Sequence, residues 1–415
     1  MPECVVIVGS SVAGVRCAQA LRSAGYDGQL VLVGAEAQFP YDKPPLSKQL
    51  LTGAWSAEEI RLAEPAELED AGIELRLGVA ARGVDVTQRQ IELGDGSRLG
   101  YDRLVIATGV RPRPLPWRAD PAVVRTIRTQ DDALSLRKRL LASEDPLVVI
   151  GGGFIGAEVA ASATELGRRC TIVEALPAPF SRVLGPTAGS LIARLHAENG
   201  VEVIAGAAVV GIKHVGAASV VQLADGRSLA AGTVVAGIGC VPNTEWLESS
   251  GIMLDDGVVT DEFCRARGVQ DVYAIGDVAR WFDARDGVHR RSEHWTHAFQ
   301  QAQLAAHNIL NPQDLQANTK APYFWSDQHG MKIQMVGHCA ADDDMEVLRR
   351  QTPGGERDVV LYSRGGRHTA CAVFGWPQLV PKLRRAWEAD LPVHEVVDLI
   401  DAAAVSAPIP AVSEV

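Results

Sequence analysis

Val5-Val6-Ile7-Val8-Gly9-Ser10-Ser11-Val12-Ala13-Gly14 and Leu147-Val148-Val149-Ile150-Gly151-Gly152-Gly153-Phe154-Ile155-Gly156 decide how this chain is read. In each, an apolar run of strand character enters a Gly-rich turn and leaves it as a helix pattern. The first Gly of such a turn permits the tight bend, the second lets the backbone approach a pyrophosphate, and the third allows the helix to pack on the strand. The helix N-terminus then offers N–H groups to the anion. The second copy, Gly151, Gly153 and Gly156, is complete. The first carries Ser11 in the middle, which is small and has a hydroxyl that can itself donate to a phosphate. One copy suggests a nucleotide site; two suggest a pair of dinucleotides face to face, with electrons relayed between them.

Working outward, the first copy is followed by a helix over 15–21 and a buried parallel strand over 30–33, and the second by a helix over 154–166 and a strand over 170–173. Two further strand-plus-Gly segments, Leu104 to Gly109 and Val234 to Gly239, run into Val110–Pro116 and Val241-Pro242-Asn243. Pro and Gly clusters of this kind mark crossings between domains. The expected division is 1–112 with 241–320 as one nucleotide domain, 113–240 as a second inserted into it, and 321–415 as a third. In that third region alternating segments at 332–336, 345–349, 359–362 and 369–374 predict an antiparallel sheet, with helices near 378–387 and 393–404 after it. The tail from 405 has no pattern and is expected to be loose.

Composition agrees with a large folded protein: 415 residues, 47% hydrophobic and 22% charged. The net charge of −11 argues against general nucleic-acid binding. No apolar run reaches the roughly 18 residues of a membrane helix, and the first strand begins almost at Met1, so no leader peptide is expected. Seven cysteines without a C-x-x-C pair suit free thiols in a reducing cytoplasm. Cys240 reads as a buried packing residue. The histidines show no metal-ligand spacing, and no Ser-His-Asp signature is present, so Ser47 and Ser326 are read as hydrogen-bonding residues.

Several side chains stand where chemistry needs them. A carboxylate ending the second strand of a nucleotide unit accepts from ribose hydroxyls and repels a 2′-phosphate. Glu174 takes that place in the second unit and predicts NADH over NADPH, with Arg168, Arg169 and Arg182 as counter-evidence. Glu36 is the candidate in the first unit, or a solvated loop charge. Tyr41-Asp42-Lys43-Pro44-Pro45-Leu46-Ser47-Lys48 is a rigid loop that aims a lysine, which can act electrostatically beside a cofactor. Val272 to Asp277 delivers an Asp at a strand's C-terminal edge, where open α/β sheets bind ligands, or where a helix is capped.

Together these motifs, with Ala107-Thr108-Gly109, Arg111-Pro112-Arg113-Pro114, Gly237-Ile238-Gly239, Ile275-Gly276-Asp277 and Phe324-Trp325-Ser326-Asp327-Gln328, resemble the FAD-dependent, NADH-using ferredoxin reductases of bacterial oxygenase systems along essentially the whole chain. The resemblance implies an α/β fold with two Rossmann-like domains, arranged as in glutathione reductase, plus a C-terminal α+β domain with an antiparallel sheet. It implies that Gly9, Ser11, Ala13, Gly14, Glu36, Lys43, Pro44, Lys48, Ala81, Ala107, Thr108, Gly109, Arg128, Gly276, Asp277, Glu293, His294, Trp295 and Trp325 serve FAD. Lys48 is expected beside the flavin N5, Asp277 on the ribityl chain, and Trp295 at a helix start aimed at the flavin pyrimidine. Gly151, Gly153, Phe154, Ile155, Gly156, Glu158, Glu174, Arg182, Gly237, Ile238 and Gly239 would serve NADH, with Lys48, Glu158 and Trp325 in catalytic roles. Two departures are visible: Ser11 replaces the usual Gly, and the FAD-ribose acid falls at Ala35, with Glu36 one step later. Lys43 also replaces a more usual arginine.

The leading reading is transfer of electrons from NADH through FAD to a ferredoxin, a small acidic iron–sulfur protein that feeds an oxygenase. Docking is expected at Trp325 and basic residues drawn from Arg285, Arg290, Arg291, Lys382, Arg384 and Arg385, on a monomer or weak homodimer. The alternative is an NADH-dependent flavin oxidoreductase acting directly on a quinone, oxygen or another small acceptor. A third reading is a non-catalytic sensor of the NADH/NAD ratio. Disulfide and peroxide chemistry is disfavoured, since the loop before Lys48 holds no cysteine.

Overall fold

The computed structural model describes residues 1–117, 123–215 and 218–406. Both fingerprints sit in the middle of parallel sheets. The first sheet runs Val272–Ala274, Arg103–Ile106, Cys4–Val8, Gln29–Val33, Glu74–Arg76, and the second Glu202–Ala205, Cys170–Glu174, Leu147–Ile150, Thr233–Ala236, Val124–Arg125. Their central strands are continuous apolar runs because both faces are covered; Val5, Val6 and Ile7 are fully buried, as are Leu147 and Val149. The helices Val12–Ser23 and Phe154–Glu165 follow directly. At Gly9 the backbone has φ +121°, and a Cβ there would overlap the Ala107 carbonyl oxygen; Gly151, at φ +98°, would meet Gly237 in the same way. Each strand-to-helix turn is thus wedged against the strand-plus-Gly segment beside it.

The two crossing segments lie side by side. Val110–Pro112 pairs antiparallel with Cys240–Pro242; Thr108 Oγ1 donates to the Asn243 main-chain O at 2.8 Å and Asn243 Nδ2 donates to the Thr108 main-chain O at 2.9 Å. Each parallel unit also carries a three-stranded antiparallel sheet, Ala81–Asp85 with Gln90–Leu93 and Arg98–Gly100, and Val209–Val215 with Ala218–Leu223 and Ser228–Ala231. These were not expected; their strands are short and mix polar with apolar residues, so no clean period shows.

The C-terminal region is α+β, with one strand more than expected. Its antiparallel sheet runs Tyr323–Gln328, Met331–Gly337, Arg367–Phe374, Gly355–Arg364, Asp344–Thr352. The helices Val380–Glu388 and Val393–Ser406 pack on one face through Leu383, Trp387, Val396 and Ile400. The other face meets the second nucleotide unit. The helix Ser181–Glu198 breaks at Gly185 (φ 72°), and the C-terminal sheet receives the freed carbonyls: Tyr362 Oη donates to Leu184 O at 2.6 Å and Cys339 Sγ to Val183 O at 3.0 Å. The expected loose tail lies, from 407 onward, outside the described residues. Among the described residues no helix is long and apolar enough to cross a membrane.

Candidate functional site

The loop 44–48 and one strand of the C-terminal sheet converge on a single carboxylate of the helix that follows the second nucleotide turn. Glu158 lies one turn into the helix that follows the second Gly turn, and it is buried. Its Oε2 accepts from Ser47 Oγ at 2.5 Å; its Oε1 accepts from Ser326 Oγ at 2.7 Å and pairs with Lys48 Nζ at 3.1 Å. The lysine side chain is 11% exposed and the carboxylate 5%, so the pair is nearly out of water. A buried carboxylate survives only when paired and hydrogen-bonded, and here three donors from two distant parts of the chain meet that need. Pro44 and Pro45 open the short 3₁₀ turn Pro44–Ser47 that aims Ser47 and Lys48. Ser162, one turn along the Glu158 helix, donates to Ser47 O at 2.7 Å and fixes that loop. Ser47 and Ser326, expected only to hydrogen-bond, do so to the same carboxylate.

The first turn opens onto a cavity of about 560 Å³, lined among others by Gly9, Ser11, Glu36, Lys43, Ala81, Thr108, Gly109 and Arg128. Ser11 is the N-cap residue of Val12–Ser23, yet its hydroxyl makes no capping bond. It is therefore available to a phosphate at that helix end. Ala35 and Glu36 both line the cavity, but the Glu36 carboxylate is engaged by Lys43 Nζ at 2.6 Å and by the Tyr41 hydroxyl. Burial, and then Arg128, pull Lys43 below its ordinary value, with Glu36 opposing. Asp277 faces Arg128 at 3.7 Å; burial raises its carboxyl and Arg128 counters. Ala13 and Ala298 flank Gly276, whose N–H donates to Gln301 Oε1 at 2.7 Å. The volume of this cavity, the Ser11 hydroxyl without a capping bond and the helix N-terminus fit a dinucleotide.

Trp295 opens the helix Trp295–Leu310 and donates from Nε1 to Asp42 Oδ1 at 2.7 Å, so this helix start is tied to the Lys48 loop. Before it, His294 stacks on Phe324 at 4.1 Å and touches Phe154 edge-on at 5.6 Å; burial drives it down to about 3, so it is a neutral imidazole. Trp325 meets Trp295 edge-on at 6.3 Å and Tyr323 nearly parallel at 6.1 Å. Along Tyr323–Gln328 burial alternates strictly. Phe324, Ser326 and Gln328 face inward, and Tyr323, Trp325 and Asp327 face out.

In the second turn Glu174 accepts from Gly152 N–H at 2.6 Å and from Leu176 N–H at 2.8 Å. It thus stands at the strand end, as expected, and also braces the Gly turn. Ile155, in the first turn of the helix Phe154–Glu165, is exposed, and Arg182 comes within 3.9 Å of a Cβ placed on Gly239. Arg168 is corrected: its guanidinium bonds Leu166 O and Ser143 O and is committed to the backbone. Cys240 is half-buried rather than buried, and burial together with Glu293 pushes its thiol up to about 12, which removes it as a nucleophile.

Three of the six docking candidates are already paired within the chain. Arg285 pairs with Asp390, Arg290 with Asp283 and Asp286, and Arg291 with Asp256 and Glu293. Lys382, Arg384 and Arg385 have no ion-pair partner among the described residues. Arg384 lies over the Tyr323 ring at 5.6 Å and Lys332 over Trp325 at 5.6 Å. Lys332 and His196 were not anticipated, and their sequence surroundings carry no signal for them; Gln328, which with His196 stands behind Ser326, closes the motif 324–328 but was given no role.

Comparison with known proteins agrees with this arrangement. Residues 3–302 match the pyridine nucleotide-disulphide oxidoreductase family and residues 323–404 the reductase C-terminal family. The chain is 37% identical over 383 residues to putidaredoxin reductase of Pseudomonas putida, covering 90% of this chain and 89% of that protein. It is 37% identical to the ferredoxin–NAD(+) reductase subunit of a benzene 1,2-dioxygenase system of Pseudomonas putida, covering 94% of each. Among solved structures, a covalent putidaredoxin reductase–putidaredoxin complex superposes with a TM-score of 0.88 at 33% identity, over 97% of this chain and 99% of that one.

Proposed function

Since the chain belongs to the pyridine nucleotide-disulphide oxidoreductase family, we propose that it is an FAD-dependent NADH:ferredoxin oxidoreductase that supplies electrons to an oxygenase. The observation that carries the reading is the Glu158 junction. One buried ion pair joins the loop of the first nucleotide unit, through Lys48, to the helix of the second, through Glu158. A relay between two dinucleotides needs a fixed, water-poor junction of this kind. FAD, when bound, accepts a hydride as two electrons and passes them on singly.

The chain's own residues divide the remaining work. In this reading residues 1–112 and 241–320 hold FAD, 113–240 hold NADH, and 321–415 close the site and meet the acceptor. The first turn, with Ser11, cradles the FAD pyrophosphate. Lys48 presents its ammonium where negative charge develops, and Glu158 holds it there. Glu174 accepts from the adenosine ribose and disfavours a 2′-phosphate, which makes NADH the donor. The N-terminus of Trp295–Leu310 favours an anionic flavin ring, as its dipole dictates. Across the reaction one NADH and two oxidised ferredoxins give NAD⁺, two reduced ferredoxins and one proton, so charge and atoms balance. The acceptor docks at Trp325 and Tyr323, with Arg384 over the Tyr323 ring and Lys382 and Arg385 on the same helix, and these cations, unpaired among the described residues, suit an acidic partner. A monomer or weak homodimer leaves this surface free.

The test is cytochrome c reduction by NADH with and without a small panel of bacterial ferredoxins. A large ferredoxin-dependent increase is the expected result. Rapid anaerobic bleaching of the flavin by NADH, with no response to any ferredoxin, would move the reading to a quinone or another small acceptor.

A further inference from the structure

Behind Glu158 runs a chain of side chains that ends at the protein surface. Gln328 Nε2 donates to Ser326 Oγ at 3.0 Å, and Gln328 Oε1 meets His196 Nε2 at 3.0 Å. His196 Nδ1 meets His329 Nε2 at 3.0 Å, with the two rings edge to face at 4.8 Å. Ser326, Gln328 and His196 are buried, while His329 is partly exposed. His329 stands in the two-residue turn between Gln328 and Met331 at φ +51°, a left-handed position that suits Asn or Gly far better. The fold accepts that strain in a turn whose histidine reaches back to His196.

The contacts make this array directional. Ser326 receives a proton from Gln328, so its own O–H is left to donate to Glu158 Oε1. Gln328 Oε1 needs a donor, which makes His196 the Nε2–H tautomer and its Nδ1 an acceptor for His329. Every donor then points toward Glu158. Turning the Gln328 amide reverses the whole series, and Ser326 would then give its O–H to Gln328 and have none left for Glu158 Oε1. The inward polarity therefore keeps a proton off Glu158 Oε1 and favours the ionised carboxylate.

We propose that Gln328, His196 and His329 are positioning residues for Glu158: they hold Ser326 as a donor to its carboxylate, and protonation of His329 at the surface locks that polarity. The groups facing the array are few among the described residues. Lys48 faces Glu158, and the two histidines face each other. Asp327, on the outer face of the same strand, pairs with Lys332. Burial, and then His329, drive His196 down to about 4, so it stays neutral over the working range, while His329 is lowered by burial alone. A doubly protonated His329 can only donate to His196, and so can only sustain the inward polarity. An amide passes polarity and not a net proton, so the proton balance of the reaction is untouched.

The inference rests on the reading that Glu158 borders the nicotinamide, and its two tests fail separately from that reading. The first is ¹⁵N-histidine NMR of the FAD-loaded protein at neutral pH. His196 is expected as a single Nε2–H tautomer, and an Nδ1–H or charged ring would overturn the directional array whether or not the protein turns over. The second is the pH profile of anaerobic flavin bleaching by NADH. Gln328→Leu, and independently His329→Asn, which suits the turn, are expected to move the acid limb to higher pH by roughly one unit, the effect of losing one charge-assisted hydrogen bond. Acid limbs that coincide with the wild type in both variants would overturn the proposal; a merely structural role lowers the plateau and leaves the limb in place. Absence of bleaching by NADH at every pH in the wild type would instead strike at the parent reading.

Discussion

Replacing Gly153 with Ala separates what the protein needs at the second Gly turn from what a ligand needs there. Gly153 has φ −80° and ψ −169°, extended backbone open to any residue. A Cβ placed on it meets no protein atom within 4 Å, unlike Gly151, where the Gly237 carbonyl oxygen stands in the way. The protein itself should be indifferent, with stability changed by no more than about 0.5 kcal/mol, as for an unremarkable surface site. If the turn holds a pyrophosphate against its backbone, the added methyl intrudes on that ligand. Overpacking of one methyl costs about 1–3 kcal/mol, and at about 1.4 kcal/mol per tenfold this becomes a roughly 5- to 150-fold rise in the Kd for NADH. The assay is titration of the oxidised flavoprotein with NAD⁺ and of the enzyme with NADH, alongside thermal melting and the flavin absorbance per protein. FAD content and Tm should hold while nucleotide affinity falls. Unchanged affinity would refute the placement, and would mean that this turn tolerates a side chain as the first turn tolerates Ser11.

Four further outcomes are expected. Lys48→Ala leaves the buried Glu158 with neutral donors only, which costs about 3–5 kcal/mol of stability and slows NADH-driven bleaching on the order of a hundredfold with FAD still bound; unchanged stopped-flow kinetics would remove Lys48 from the mechanism. Glu174→Ala removes the acceptor of two backbone N–H groups, so it should both weaken NADH by roughly tenfold and narrow its advantage over NADPH; a constant NADH/NADPH ratio of kcat/KM would hand selectivity to Arg169 and Arg182. Trp325→Ala should lower ferredoxin-coupled turnover by roughly tenfold and leave bleaching by NADH alone, and equal loss in both assays would place Trp325 at the flavin chemistry instead. Finally, burial drives His196, His297 and His368 down to about 4, 3 and 4, so the fold binds fewer protons than the unfolded chain. Their stabilisation is complete above about pH 6.5 and is lost as pH falls toward 4, by about 1.4 kcal/mol per group per unit; a denaturant midpoint that is flat between pH 7 and pH 5 would contradict this.

Much of the fold was legible because parallel strands buried on both faces write themselves as apolar runs, and because the Gly turns that follow have few alternatives. The strand Tyr323–Gln328 was not legible as a strand. Its inward residues include Ser326 and Gln328, polar because they serve Glu158, so the expected apolar alternation is broken at the functional end. The junction itself was hidden for a related reason. Ser47, Glu158 and Ser326 lie more than 100 residues apart in the chain, and no local period links them. Lys48 was visible through its prolines. The charged docking candidates differ in a way a sequence does not show, namely which cation already has a carboxylate: Arg285, Arg290, Arg291 and Lys332 have theirs, and Arg384 leans on an aromatic ring instead.

The two sides of Tyr323–Gln328 lead separate lives. The period of a strand sends every second side chain to the opposite face, so the acceptor contacts proposed at Tyr323 and Trp325 share a backbone with Ser326 and Gln328, which face Glu158, without sharing an atom of side chain. Substitutions that retune which redox protein is accepted can accumulate on the outer register while the inner register stays fixed. A lineage can thereby change its client and keep its catalyst. In the laboratory, a library restricted to Tyr323, Trp325 and Asp327 is the natural starting point for redirecting these electrons to a new recipient.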